Sequence, residues 1–342
     1  MSANLPSFEV VVPAHQASDT LERCLAALLD AGVPPGDIIV VDDGSRDGTG
    51  DIARRLGTRV IRNDPALRPA RARNAGVAES TADIILFVDA DVVPHKDAPQ
   101  RLIEAFRDPE ITAVFGSYDT VPEAPSIVSR YRNLLHYFTH QRADTDAHTF
   151  WTGLGAVRRV PFQKLGGFDP MWENIEDLEF GLRMRADGGK IRLDPAAQGT
   201  HLKDWTLASM FKTDLWGRAV PWTRLILADR MPGHVLNGSA GHRLSAACVI
   251  LAILGLFLTP FVAASAWVIL FAVLFFLVIN WALLAELYRI GGISLAAGAV
   301  PYHAAHYVAA LLGYVYAHVR RAPEGPDGRA TSAPPAQPTH TR

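Results

Sequence analysis

The segment ADIILFVDADVVP, residues 82–94, carries five successive apolar residues, Ile84 to Val88, straight into two carboxylates, Asp89 and Asp91. An apolar run without polar alternation fits a strand covered on both faces, as in a parallel sheet. A strand entering a polar turn would account for the acids, and D-x-D also arises by chance. The sharper reading is a divalent cation held at the carboxyl end of a parallel sheet, where open α/β sheets place their ligands. Neighbouring segments decide between the two.

FEVVVPAH (8–15) is a short β-branched apolar run read as a first strand. In SDTLERCLAALLDAG (18–32) leucines recur at helical spacing behind Ser18 or Asp19 as N-cap. DIIVVDDGS (37–45) is a second strand, TGDIARRLG (49–57) a helix closed by Gly57, TRVIRN (58–63) a third strand and RPARARNAGVAES (68–80) a helix leading to the fourth strand. Alternating strands and helices imply parallel pairing with right-handed crossovers. Asp42 and Asp43 then end one strand on the same sheet edge as Asp89 and Asp91. Two acidic strand ends on one edge make a candidate site.

The formal net charge of -2 over 342 residues provides no basic field for nucleic acid. Apolar content is uneven: residues 244–285 contain no charged side chain. About 20 apolar helical residues cross a hydrocarbon core, so this stretch reads as two spans, 244–264 and 265–285, turning at LTPFVAAS (258–265). A third segment, 293–319, is rich in Tyr and His and reads as a span or an interfacial helix. Arg320 and Arg321 favour the cytoplasm. Three full spans would put them on the opposite side, whereas a re-entrant or interfacial third segment would not. No signal peptide is read before Phe8, so residues 1–230 are expected to be cytoplasmic, attached to the cell inner membrane by 244–319. Cys24 and Cys248 form no disulfide framework. The Pro- and Gly-rich tail, 322–342, reads as disordered.

VVPAHQASDTLERCLAAL, VVDDGSRDGTGDIARRLG, RPARARNAG, LFVDADVVP, GGFDP and IEDLEFGLRMRADGGKI follow one another in this order. Over roughly residues 8–222 the chain thereby resembles glycosyltransferase family 2. The resemblance implies an α/β GT-A fold, Rossmann-like with a mainly parallel sheet, and transfer of a sugar from a nucleotide diphosphate with inversion. It implies that Asp43, supported by Asp42, meets the nucleotide base; the other reading is an Asp capping the next turn. Pro13, Ala14 and His15 would line the nucleotide pocket, and Arg71 and Asn74 would face it unless they are an exposed helix face. Asp89, Ala90 and Asp91 match the family's D-x-D. A hard divalent ion on Asp89 and Asp91, Mn2+ or Mg2+, would act as Lewis acid on the leaving diphosphate, and Asp91 is the surer direct ligand. Asp177, with Glu176 in support, matches the general base at the start of a helix. The bland reading is a pair of helix-start acids favoured by the macrodipole.

His201 is a candidate third metal ligand or an ordinary structural histidine. Small residues in TGLGA (152–156) would admit substrate close to the backbone. Around 205–230, Leu207, Met210, Phe211, Leu215 and Trp216 form an apolar face that suits an interfacial helix or one packed on the domain. Arg218 there is a candidate for the diphosphate. TDLWGRAVPW replaces the Q-x-x-R-W of processive relatives, which favours a single transfer over polymer synthesis. The expected partners are a nucleotide-diphosphate sugar, UDP-linked by preference, and a membrane-lipid acceptor such as a polyprenyl phosphate. A polysaccharide synthase and a non-catalytic sugar-nucleotide-binding membrane protein are the alternatives.

Overall fold

The computed structural model describes residues 5–228 and 240–320. The tail read at 322–342, Arg321 and the end of the 205–230 segment lie outside the described residues. The first half alternates as read: β1 (Phe8–Ala14), α1 (Leu21–Asp30), β2 (Ile38–Asp43), α2 (Thr49–Arg55), β3 (Arg59–Asn63), α3 (Pro69–Ala78) and β4 (Ile84–Val88). Then come β5 (Val92–Pro94), α4 (Ala98–Glu104), β6 (Ile111–Tyr118), α5 (Ile127–Arg142), β7 (Asp146–Ala147), β8 (Leu154–Arg158), α6 (Arg159–Lys164), α7 (Glu176–Ala186) and β9 (Lys190–His201).

Strand order is β3-β2-β1-β4-β8-β6-β9-β5, with β7 beside β9. From β3 to β4 every pairing is parallel. β8 then runs antiparallel to both β4 and β6, while β6 pairs parallel with β9, so the sheet is mixed and mainly parallel as expected. Strand residues alternate between two cores. Val10, Val12, Val40 and Leu86 face the layer of α1 and α4. Val11, Val41, Ile85 and Phe87 face α3, α6 and α7. Both faces are covered, which is why these strands are apolar without alternation. Gly76 brings α3 down on the sheet: a Cβ there would lie 2.5 Å from Val11 Cγ1.

One cap was misplaced. The first helix begins at Leu21 after Thr20, and neither Ser18 nor Asp19 caps it; the Ser18 N–H instead donates to Asp47 Oδ2 at 2.9 Å. Gly57 does close α2, with φ 77° and its N–H on Arg54 O.

Beyond the sheet lie α8 (Leu207–Lys212), a π-helical stretch (Thr213–Ala219), α9 (Val220–Leu227), α10 (Ala240–Leu258), α11 (Ser265–Ile279) and α12 (Trp281–Val319). The α8–α9 segment packs on the domain through Met210, Asp214, Val220 and Leu225, leaving Leu207, Trp216 and Ile226 exposed. Among the described residues, α10 and α12 are long and apolar enough to cross a membrane, and α11 is shorter. The turn falls within 259–264 as read, but the second apolar helix ends at Ile279 rather than 285. The charge-free stretch simply continues into α12.

Gly292, with φ 69° and ψ -169°, breaks α12 in a conformation open mainly to glycine. Helix α12 lies against the catalytic-edge helices. Leu283, Leu287, Leu295 and Ala299 share a core with Val128, Tyr131 and Leu134 of α5 and with Met210 of α8.

Candidate active site

Three loops meet at the carboxyl edge of the parallel half-sheet, and a buried arginine joins them. Arg73, on α3, donates through Nη2 to Asp89 Oδ1 at 2.7 Å and through Nη1 to Glu176 Oε1 at 2.5 Å. It is 5% exposed. One guanidinium therefore locks the D-x-D turn to the start of α7, where Asp177 stands.

Asp177 Oδ2 accepts from both the N–H and the hydroxyl of Thr152, each at 3.2 Å, and Oδ1 accepts from the Leu178 N–H at 2.7 Å. Burial raises the Asp177 carboxyl above its ordinary value against the opposing pull of Arg73. Burial also pushes Glu176 up to about 7, with Arg73 opposing and the Asp177 charge adding. A carboxylate held up in this way is a better proton acceptor near neutral pH. The glycines of TGLGA pack against Trp151. A Cβ at Gly153 would strike the Trp151 ring at 2.2 Å, and one at Gly155 the Trp151 carbonyl at 2.2 Å. They make room for Trp151.

Across the cleft, Asp91 Oδ2 is 3.4 Å from His201 Nε2, and His201 Nδ1 meets Asn133 Oδ1 at 2.6 Å. The carboxamide oxygen accepts from Nδ1, which turns the Nε2 edge of the ring toward Asp91. The imidazole is stacked on Tyr118, 4.3 Å between centroids at 8°. Burial alone would raise Asp91, but the His201 hydrogen bond and charge, with Lys203, hold it below its ordinary value. This is a seat with one oxygen and one nitrogen donor. Among the described residues no third His, Cys, Asp or Glu closes around it. Two protein ligands fit a hard divalent ion that keeps waters and takes substrate phosphate oxygens as its remaining ligands. Asp89, held by Arg73, is turned toward the base motif.

The nucleotide-side residues are placed as follows. Asp43 is buried; Oδ1 accepts from Asn63 Nδ2 and Leu67 N, and Oδ2 from Arg68 N. Asp42 accepts from Ser45 N and pairs with Arg62. Asp43 therefore braces the loop after β3, and Asp42 ties the turn after β2 to β3. His15 Nδ1 meets Asp43 O at 2.6 Å beside Pro13 and Ala14 at the end of β1. Arg71 is exposed. Asn74 departs from expectation: it exchanges two hydrogen bonds with the Phe168 backbone, 2.8 and 2.9 Å, and latches α3 to the GGF turn. Ala90 is buried between the two acids. Arg218 lies on the π-helical stretch, and the carboxylates acting on it most strongly are Asp214 and Asp177.

Arg73, Asn133, Thr152 and Tyr118 were not singled out from sequence. Arg73 had a signal: it shares the helical face of Ala70, Gly76 and Val77, all of which are buried. The other three come from positions remote in the chain and carried none.

Residues 9–166 match the family model described as glycosyl transferase family 2. The chain is 31% identical over 211 residues to a probable glycosyltransferase, YdaM, of Bacillus subtilis, covering 56% of this chain and 50% of that protein. It is 27% identical over 216 residues to the pre-mycofactocin glycosyltransferase of Mycobacterium tuberculosis, covering 59% and 45%. The chain thus spans about half the length of the curated relatives it matches. In structure it is similar to a mannosyltransferase from Pyrobaculum calidifontis solved with GDP-Man and Mn2+, with a TM-score of 0.57 and 20% identity over 92% of this chain and 88% of that one. Motif order, fold and family match agree that the chain carries a glycosyltransferase family 2 domain built on the GT-A fold.

Proposed function

We propose that the protein is a membrane-associated inverting glycosyltransferase that moves one sugar from a nucleotide-diphosphate sugar, UDP-linked by preference, to a membrane-lipid acceptor. The observation that carries this reading is Arg73, which ties the D-x-D turn and the base motif into one buried unit. Asp91 and His201 are the residues that would hold Mn2+ or Mg2+, with Asp89 beside them. When bound, the ion would withdraw charge from the diphosphate as the glycosidic bond breaks. Asp43 and His15 shape the nucleotide end of the cleft. Asp177, on the face away from the diphosphate, takes the acceptor's proton as its oxygen attacks the anomeric carbon. Thr152 fixes the carboxylate for that task, and Glu176, paired to Arg73, keeps the arginine in place.

The membrane reading rests on the exposed apolar surface of α10, α11 and the turn between them, including Phe257, Phe261, Phe271 and Val278. Contiguous apolar surface of this size is not left to water in a soluble domain. The test is transfer by the purified full chain, with a panel of UDP-, GDP- and dTDP-sugars and extracted lipid acceptor. Asp177→Asn should abolish transfer while nucleotide affinity holds. Equal loss of nucleotide binding would make Asp177 a structural residue, and label entering only water-soluble polymer would exclude the lipid acceptor.

A further inference from the structure

A cluster of rings lies between the cation seat and the base motif, and the reaction described so far makes no use of it. The Trp151 ring stands 4.9 Å from Tyr118 at 87°, 5.0 Å from His136 and 5.1 Å from His140, centroid to centroid. Tyr118 is the ring stacked on His201, so the cluster begins at the cation seat. At its other end the chain is bonded to both acidic motifs. Thr152, the next residue, donates twice to Asp177, and Gly153 O accepts from the Asp89 N–H at 3.2 Å. The indole lies over Gly153, where even a Cβ would meet its six-membered ring at 2.2 Å.

Core packing does not account for this placement. Trp151 meets both cores from their margin and stays half-buried, as do His136 and His140 of α5. Polar atoms beside the ring are left over. The Nδ1 atoms of His136 and His140 are buried with no hydrogen-bond partner among the described residues, and so is Nδ2 of Asn133, which is 2% exposed. These three residues share one face of α5 by their helical spacing. Buried nitrogens without partners are costly and uncommon. Gathered on one face beside a cleft, they fit a ligand rich in hydroxyls.

In an inverting displacement the transferred sugar sits between the cation, which holds the diphosphate, and the base, which meets the acceptor. The ring cluster covers that span, from Tyr118 at His201 to Trp151 beside Thr152 and Asp177. A sugar ring offers an apolar C–H face and a rim of hydroxyls. An aromatic surface bordered by imidazole nitrogens, which can donate or accept, matches both.

We propose that Trp151 is the floor on which the transferred sugar lies, with His136 and His140 at its polar margin bonding the sugar hydroxyls directly or through water. This rests on the transferase reading above and adds the side chains that select the sugar, as distinct from those that hold the nucleotide. Because its ring is already fixed by three neighbours, Trp151 orders the sugar without first having to order itself.

The test uses the full chain in lipid nanodiscs with Mn2+. A panel of UDP-, GDP- and dTDP-sugars identifies the nucleotide sugar that the wild type binds best. Its affinity, that of an epimer differing at one ring hydroxyl, and that of the matching nucleoside diphosphate are then measured for each variant. W151L, which keeps apolar bulk but not the flat ring, should weaken the nucleotide sugar about 10-fold, the upper end for an aromatic contact, and leave the nucleoside diphosphate unchanged. W151F should recover part of the loss. H136F keeps a ring in the packed position and removes its nitrogens, so it should weaken the nucleotide sugar roughly 3- to 10-fold and narrow the preference between epimers.

An equal loss of nucleoside diphosphate affinity overturns the proposal, because the ring would then merely support His201. Turnover that falls while both affinities hold also overturns it and assigns the cluster to the acceptor. Nucleotide-sugar affinity unchanged in H136F and W151L overturns it and leaves the transferase reading standing, and H136F decides alone should W151L fail to fold. A wild-type chain that binds no nucleotide sugar removes both.

Discussion

Arg73 shows how much of the active site depends on a single buried cation. Arg73→Met would leave Asp89 and Glu176 facing each other without compensation, and breaking a buried pair costs roughly 3–5 kcal/mol. Arg73→Lys keeps the charge but lacks the fork that reaches two carboxylates, so it should lie between Met and wild type in chemical denaturation. The raised carboxyls make activity and stability oppose each other in pH. Asp177 must be ionised to accept a proton, so kcat should fall on acidification at a pH above the ordinary carboxylate range. Thr152→Val, which removes one donor to the ionised form, should move that acid limb higher still. Stability runs the other way. Burial lifts Glu176 from 4.5 to about 7, so across that window the folded chain holds more protons than the unfolded one. Its contribution to stability is therefore lost as pH rises through the window. Tm against pH should show this decline, flattened in Glu176→Gln. On the metal side, Asn133→Leu should weaken Mn2+ binding roughly 10- to 100-fold, the usual cost of losing an outer hydrogen bond to a ligating histidine, read by titration without substrate. The acids of this site were legible because carboxylates at apolar strand ends are conspicuous. Arg73 was hidden among the arginines of RARNAG, and Asn133 joins His201 across a sequence gap that no local pattern spans.

At the level of elements, the parallel half-sheet could be read because each strand is apolar throughout and each helix has its own period. The mixed half could not. Direction in β8 and β6 is set by which neighbour each strand meets, and LGAVR and ITAVFGSY carry no mark of it. Helix α12 was the other ambiguity, since its apolar content fits either lipid or a protein partner. Its resolution lies in small residues and histidines. Gly298 sits against Ile127, a Cβ on Gly313 would meet Ala219 Cβ at 2.4 Å and Ala219 C at 3.1 Å, and His303 Nδ1 meets the Tyr131 hydroxyl at 2.9 Å. The helix is thus keyed to α5 and to the π-helical stretch beside Asp214. Gly313→Val would push backbone against backbone, with no flexible side chain to yield, at a cost of about 1–3 kcal/mol. Its effect should appear in Tm more than in nucleotide affinity, because it displaces the junction of the π-helical stretch with α9 and leaves β1, β2 and β4 untouched. A nucleotide affinity that fell in step with Tm would show instead that α12 supports the whole domain.

For the molecule as a whole, the proposed membrane reading and the packing of α12 together predict the parity of membrane crossings. With α12 on the catalytic domain, a bilayer entered by α10 and α11 would have Trp281 on the same side as residue 228. On that reading the segment between them crosses an even number of times, as one hairpin of two apolar helices. Helix α10, with 19 residues, is about 28 Å long at 1.5 Å per residue, close to the roughly 30 Å of a hydrocarbon core. Helix α11, with 15 residues, is about 22 Å long by the same rise, and the apolar turn before it supplies the rest. Phe261, 85% exposed in that turn, then reaches the far side, while Arg320 remains beside the catalytic domain. This arrangement satisfies the preference of terminal arginines for the cytoplasmic face, which three full spans would violate. The native thiols are buried at Cys24 and Cys248, so single cysteines introduced into a Cys24→Ala, Cys248→Ala background report position cleanly. In sealed vesicles of known orientation, Phe261→Cys should react with a membrane-impermeant maleimide from the side opposite the catalytic domain. Arg320→Cys should react from the same side as a cysteine at exposed Arg71. Labelling of position 320 from the opposite face would require α12 to cross the bilayer, and its observed contacts with α5 and the π-helical stretch could not then hold.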